Sequence, residues 1–324
     1  MRFLLAAAAL CVGSLSGLAC ATTSVVSGPP SDAAPPDGGT VGDGTSTTKP
    51  KLFELCTVDE PSMGQRYVRV THGPQGSAIY LGSSAGVIRY TLAETGPCAL
   101  VRDTTFAPLT NVVGPFVVDA AGGIWTASES VHRVYPGPTI ECALPPTTFH
   151  AARTFALDAK GSAGWVYFAV GGWGSLSFDG TSCTIDKSPT PDATVYASAM
   201  FYDARDRPHV VTSVPESDAL NASRRAEVQI IDPSTGELLQ EYLQSSSSSV
   251  EIVSATRCPT GGCFVRYDGD VVEIVTYSSG AVPGPSIPFE PPLPDPLADI
   301  EIGAASAGPV LVLTSGNLYR VTIE

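Results

Sequence analysis

Residues 116–145 read FVVDAAGGIWTASESVHRVYPGPTIECALP, and this stretch decides the fold. Phe116–Asp119 and Ile124–Ala127 are short apolar runs on either side of the Gly122-Gly123 turn, and Val131–Tyr135 and Ile140–Leu144 add two more. Runs of this length, rich in β-branched and aromatic residues and bounded by Gly, Pro and Asp, read as strands. Asp at the end of the first run caps its own turn, and the glycine after it accepts positive φ.

The same order recurs along the chain. TFALDAKGSAGWVYFAV (154–170) is followed by GSLSF and SCTID, and SAMFYDARDRPHVVTSV (198–214) by AEVQIID and ELLQEYL. Ser217–Gln229 has no apolar face at helical spacing and reads as a long hairpin loop. The ends of the first strands fall at His72, Asp119, Asp158, Asp203, Thr256 and Ala305, spaced 39 to 53 residues apart. A four-stranded unit at that period predicts an all-β fold, a β-propeller of six blades. Five or seven blades are the alternative counts, and a pair of two-sheet sandwiches is the competing fold. The final unit has only three strands, Asp299–Ala305, Val310–Thr314 and Leu318–Ile323, while Leu52–Thr57 stands alone ahead of the first unit. Placing that orphan as the outer strand of the last blade closes the ring and removes two exposed edges.

Asp119-Ala120-Ala121-Gly122-Gly123-Ile124-Trp125 resembles the blades of two-component-regulator and NHL-type propellers, with an echo at Gly86-Val87-Ile88-Arg89-Tyr90. The resemblance implies architecture and not activity, since propellers of this sort host lyases, lactonases and interaction platforms.

The ends of the chain have a different character. Met1-Arg2 precedes the apolar run Phe3–Val12, which is too short to span a bilayer and reads as a signal peptide over residues 1–19. Gly17-Leu18-Ala19-Cys20 resembles the lipobox of bacterial lipoproteins, which implies lipidation of Cys20; Gly17 departs from the usual aliphatic residue. Ala21 after the Cys implies, by the same resemblance, an outer-membrane destination. Cleavage after Ala19-Cys20-Ala21, an A-x-A pattern, to release a soluble periplasmic or secreted protein is the alternative. Residues 20–50 are almost all small or polar and lack aromatics, so a disordered linker is expected, followed by one propeller domain over 51–324.

The 324 residues carry a formal charge of −14, which argues against nucleic acid and against anionic lipid as partners. Membrane contact is expected through the lipid anchor only. Gly and Pro make up nearly a fifth of the chain and charged residues 15%, consistent with many turns and buried strands. With Cys11 in the signal peptide and Cys20 the lipidation candidate, six Cys remain for an exported domain. Cys258-Pro-Thr-Gly-Gly-Cys263 places two Cys across a hairpin, close enough to bond. Cys56, Cys98, Cys142 and Cys183 fall on outer strands of different blades and are expected to stay unbonded.

Candidate chemistry is sparse. Gly82-Ser83-Ser84-Ala85-Gly86 matches the nucleophile-elbow spacing but lies between two strands, so it reads as a turn. The four His (His72, His132, His150, His209) show no ligand-pair spacing. His72, Asp119, Asp158 and Asp203 share an aligned position and are the candidate channel-face polar groups, for metal or acid–base work or for turn capping. Asp268-Gly269-Asp270 and Asp203 with Asp206 are incomplete fragments of calcium loops; no cofactor is expected, Ca2+ being the one candidate. Glu290, Asp295, Asp299 and Glu301 among prolines read as an inter-blade loop. Trp125 and Trp165 read as core, while Trp173, flanked by glycines, is a candidate stacking surface for a carbohydrate or peptide. Asn221-Ala222-Ser223 fits a glycosylation sequon, which carries no weight beside a bacterial-type leader. The reading is a tethered, exported, monomeric propeller that binds an envelope protein, peptide or carbohydrate without catalysis. A lactonase-like hydrolase or lyase using a channel-mouth site is the alternative.

Overall fold

The computed structural model describes residues 52–323, apart from 60–63, 74–75, 94, 111, 113, 145–149, 171, 188–195, 216–223, 244–249, 269–270, 279–282, 291–299 and 306. Residues 1–50, on which the signal-peptide, Cys20 lipidation and linker expectations fall, lie outside the described residues. So do Gly269-Asp270, the sequon at 221–223, and Asp295 and Asp299. Every regular element among the described residues is a strand. They form six sheets of four antiparallel strands, five built from consecutive strands and the sixth from Phe53–Leu55 with the last three strands; one sheet gains a short fifth strand, paired parallel.

The inner strands, from blade 1 to blade 6, are Gln65–Gly73, Phe116–Val118, His150–Leu157, Tyr196–Tyr202, Val250–Cys258 and Glu301–Ala304. Each contacts the next, and the sixth contacts the first, so they ring a central channel. The fold is a six-bladed β-propeller.

Burial follows from this geometry. A blade is covered on both faces by its neighbours, so alternating side chains are buried on both sides and strands read as continuous apolar runs. Ala163–Val170 shows the principle: Val166 and Phe168 pack against blade 2, while Trp165 and Tyr167 pack against blade 4. The six hydrophobic clusters correspond one to one with the six interfaces between blades.

The ring closes through the N-terminal strand. Phe53–Leu55 pairs antiparallel with Asn317–Val321, as Phe53↔Val321, Glu54↔Arg320 and Leu55↔Tyr319. Only three residue pairs make this ladder, and side chains reinforce it. Glu54 Oε2 accepts from Arg320 Nε at 3.0 Å, and its Oε1 accepts from the Cys98 backbone N–H of blade 1 at 3.0 Å. Phe53 meets Phe289 edge-on at 4.8 Å.

The cysteines divide in an unexpected way. Cys258–Cys263 is bonded across its hairpin, as its spacing implies. The expectation that Cys56, Cys98, Cys142 and Cys183 stay unbonded is overturned: Cys56–Cys98 and Cys142–Cys183 are disulfides with Cα separations of 4.5 and 4.3 Å. The blade register is correct, and the error lies in the path between blades. After an outer strand the chain crosses to lie alongside the outer strand of the next blade. Thr57–Val58 pairs parallel with Ala99–Leu100, and Ala143 bridges parallel to Thr184. In both places the Cys residues stand one position before the bridged pair, so they face each other. The two bonds are equivalent staples, one between blades 6 and 1 and the other between blades 2 and 3.

Candidate functional site: the central channel

All six inner strands or their flanks line one open cavity of about 420 Å³. Its wall is polar and apolar in about equal measure, and Val70, Phe116, Phe155 and Met200, which border it, are themselves buried between the blades. Five Asp, Glu or Arg side chains reach it: Arg69, Arg153, Asp158, Arg257 and Glu301.

At one mouth lie the turns that follow the inner strands. Asp119-x-x-Gly122, Asp158-x-x-Gly161 and Asp203-x-x-Asp206 adopt one turn, closed by a bond from the fourth residue's N–H to the first residue's carbonyl at 3.0, 3.1 and 3.0 Å. The fourth residue takes φ of 80°, 69° and 57° respectively. Glycine does this freely; Asp206 does it against the steric preference of an L-residue. What holds Asp206 there spans three blades. Its Oδ1 accepts from the Ala159 N–H of blade 3 at 3.0 Å and forms an ion pair with Arg257 of blade 5. Arg257 Nε also donates to the Tyr202 carbonyl at 3.2 Å.

The four aligned polar residues fare differently. His72 and Asp158 line the channel. The exposed His72 has Nδ1 3.3 Å from Ser77 Oγ. Asp158 accepts from the Ser162 N–H at 2.8 Å and the Ser162 hydroxyl at 3.0 Å. Asp119 is buried and accepts from the Ala121 N–H at 3.0 Å, the Gly123 N–H at 2.7 Å and Trp125 Nε1 at 3.0 Å. Those bonds account physically for the D-x-x-G-x-I-W pattern. Asp203 is fully buried, accepts from the Arg205 and Arg207 N–H groups and pairs with the Arg207 guanidinium. The four carboxylate and imidazole groups therefore do not converge on one point. Among the described residues, no group of three or more His, Cys, Asp and Glu is placed to hold a metal ion.

Two neighbours of this turn have shifted acidities. Burial pulls the His209 imidazole down to about 4, opposed by its bond to the Arg207 carbonyl and by Asp203. It is stacked on Phe201, with ring centres 5.0 Å apart. Burial, with the Asp158 and Asp206 carboxylates adding, holds the Tyr202 phenol above its ordinary value, so it stays protonated.

Nearer the start of the inner strands, Arg69 donates to the Phe116 carbonyl at 2.8 Å and pairs with Glu301, tying blades 1, 2 and 6. Here four inner strands carry a β-bulge, with the extra residue at Arg66, Arg153, Ser198 and Val253. Bulges re-aim side chains, and three of these residues line the channel.

Trp173 offers no stacking face. It is 3% exposed, packed with Trp165, Met200 and Tyr202 and tilted 5.0 Å from the Tyr167 ring. Its glycine neighbour allows close cover instead of access: a Cβ at Gly174 would lie 2.5 Å from Ile185 Cγ2.

No protein-family model matches the chain, and no curated protein matches it. Among solved structures, the β-propeller domain of Cps50 (Swd1) from Myceliophteria thermophila aligns over 80% of this chain and 84% of that one, with a TM-score of 0.48 and 11% identity.

Arg153, Arg69 and Arg257 are channel groups that sequence reasoning missed, while Glu301, read as part of an inter-blade loop, begins the inner strand of blade 6, and Asp206, read as a calcium-loop fragment, pairs with Arg257. Asp206 had a legible signal, an Asp where two sister turns have Gly. Arg153 had none, because a bulge depends on strand pairing.

Proposed function

We propose that the protein is an exported propeller, lipid-anchored through Cys20 in the outer membrane, that holds a ligand in its central channel and acts as a non-catalytic binding module. The observation that carries this reading is the channel itself: one cavity of about 420 Å³ to which all six blades contribute. That volume lies within the range of ligand sites, roughly 300–1,000 Å³. Most of its charged groups are committed to fixing the ring, as Arg69 is to Glu301, Arg257 to Asp206 and Asp158 to its own turn. Such a wall is rigid and suited to holding a molecule. Three disulfides support an oxidising compartment, because such bonds persist outside the reducing cytosol.

Two experiments test it. Cys20→Ser should move the protein from the membrane to the soluble fraction; retention in the membrane refutes the anchor. For the channel, the wild type and a plugged variant, Ser198→Trp, are compared in capturing molecules from native envelope extract. Ser198 is an exposed bulge residue on the channel wall, so a large side chain there fills space without disturbing the core. A species captured by the wild type and lost from the plugged variant supports the reading. Equal capture by both refutes it.

A further inference from the structure

We infer that the three disulfides are installed in chain order as the protein is exported, by a disulfide-donating oxidoreductase, and that no disulfide isomerase is needed. This rests on the reading of the protein as exported and adds the reaction that its maturation requires.

Six cysteines allow many connectivities. Counted from Cys56, the native one joins first to second, third to fourth and fifth to sixth. Each pair is therefore complete as soon as its second member is exposed, before the next pair begins. Cys56–Cys98, with a separation of 42, encloses Gln65–Gly73, Gly76–Ser83 and Gly86–Leu92, the first three strands of blade 1. Cys142–Cys183, with a separation of 41, encloses the first three strands of blade 3.

Loop length does not select these pairs. Cys142 follows Cys98 at nearly the distance by which Cys56 precedes it. Closure probability falls as about the 3/2 power of loop length, so the wrong pair Cys98–Cys142 is disfavoured by less than about 10%. Order of emergence does discriminate. At the rate of chain synthesis, about 5–20 residues per second, Cys98 follows Cys56 by roughly 2–8 s, and Cys142 comes a similar interval later. Exchange with an efficient oxidant takes seconds, so Cys98 meets Cys56 while Cys142 is still to come.

Burial sets when the oxidant must act. All six cysteines are at most 6% exposed in the folded ring, so their thiols are reachable only before the blades pack. The early bond then has a further use. Phe53–Leu55 belongs to blade 6, whose other three strands are the last to emerge. Cys56–Cys98 keeps that strand beside blade 1, with Thr57–Val58 against Ala99–Leu100, until they arrive.

The Cys56 thiolate attacks the donor's disulfide, forming a mixed disulfide and releasing one donor sulfur as a thiolate. The Cys98 thiolate then attacks the Cys56 sulfur, and the second donor sulfur leaves. Two electrons pass from the cysteine pair to the donor, which ends as a dithiol carrying the two protons that the cysteines gave up.

The test expresses the full chain in bacterial cells lacking either the exported oxidoreductase or the exported isomerase. Free thiols are trapped with iodoacetamide, and bonded peptides are identified by mass spectrometry on the fractionated protein. Loss of the isomerase should leave all three native pairs in unchanged yield, and loss of the oxidoreductase should cut them several-fold. Cys20→Ser, which lacks the anchor cysteine, should keep all three. Purified protein that is reduced, unfolded and diluted into oxidised glutathione without isomerase should give Cys98–Cys142 in amounts comparable to Cys56–Cys98. Exported protein that loses native pairs without the isomerase, or keeps them in full without the oxidoreductase, overturns the inference and leaves the export reading standing. Exclusive native pairing of the full-length chain in glutathione also overturns it, because order of emergence is then not the selector. Protein found in the cytosol with its thiols alkylated overturns the export reading and the inference with it.

Discussion

Replacing Cys56 and Cys98 together by alanine removes the covalent link between the closing strand and blade 1. In the chain-entropy account a cross-link stabilises by restricting the unfolded chain, and the effect grows with the logarithm of the loop. The sequence separation of 42 residues gives about 4 kcal/mol, whereas the separation of 5 at Cys258–Cys263 gives about 2 kcal/mol. Against a total stability of roughly 5–15 kcal/mol, the first loss is severe. It also falls where the ladder is short, since Phe53–Leu55 holds its neighbour through three residue pairs. The assay is urea denaturation of the oxidised wild type and both double-alanine variants, with hydrogen exchange of residues 53–58 read in parallel. The Cys56/Cys98 variant should lose about twice what the Cys258/Cys263 variant loses, and exchange at 53–58 should rise before global unfolding. An equal or smaller loss, with protection at 53–58 unchanged, would refute the view that this bond secures ring closure.

Three further outcomes follow from the turns at the channel mouth. Asp119→Ala leaves the Gly123 N–H and the Trp125 indole N–H without their acceptor in a buried site, so a loss of about 2–4 kcal/mol is expected in thermal or urea unfolding. Asp206→Ala removes the tie among blades 3, 4 and 5 yet keeps a side chain at φ 57°, whereas Asp206→Gly removes the tie and relieves the backbone; the glycine variant should be more stable by about 1 kcal/mol. His209 is neutral in the native state with its pKa lowered to about 4, against 6.5 for the ordinary group. The unfolded chain therefore binds the proton more tightly, and this contribution, full above pH 6.5, declines as the pH falls, reaching a loss of roughly 3 kcal/mol by pH 4. Stability measured across pH 4–7 should flatten in His209→Gln relative to the wild type, and parallel curves would contradict the assignment.

Some of this was open to reading in the sequence, and the divide has a physical basis. The strand repeat and the closing strand were legible because each blade is local in sequence. A last unit that lacks a fourth strand after Leu318–Ile323 and an orphan strand at Leu52–Thr57 complement each other without any knowledge of packing. The turns were legible for the same reason, since Asp119 and Gly122 act within four residues. What depends on contact between blades was not. Cys56 meets Cys98 only because the chain runs parallel to the next outer strand. Glycines around Trp173 signal close approach, and sequence alone does not say whether that approach is by a ligand or by the protein's own Ile185. Arg153 enters the channel through a bulge that only the pairing of Ala152 and Thr154 reveals.

The most direct test of the central claim, that a ligand occupies the channel, is site-specific photo-crosslinking in intact cells. A photoreactive residue is placed at Ser198 on the channel wall or at Leu239 on the outer strand of blade 4, which is 58% exposed. The account predicts a discrete adduct from position 198 and none from position 239. An adduct formed at 239 and absent at 198 would contradict it.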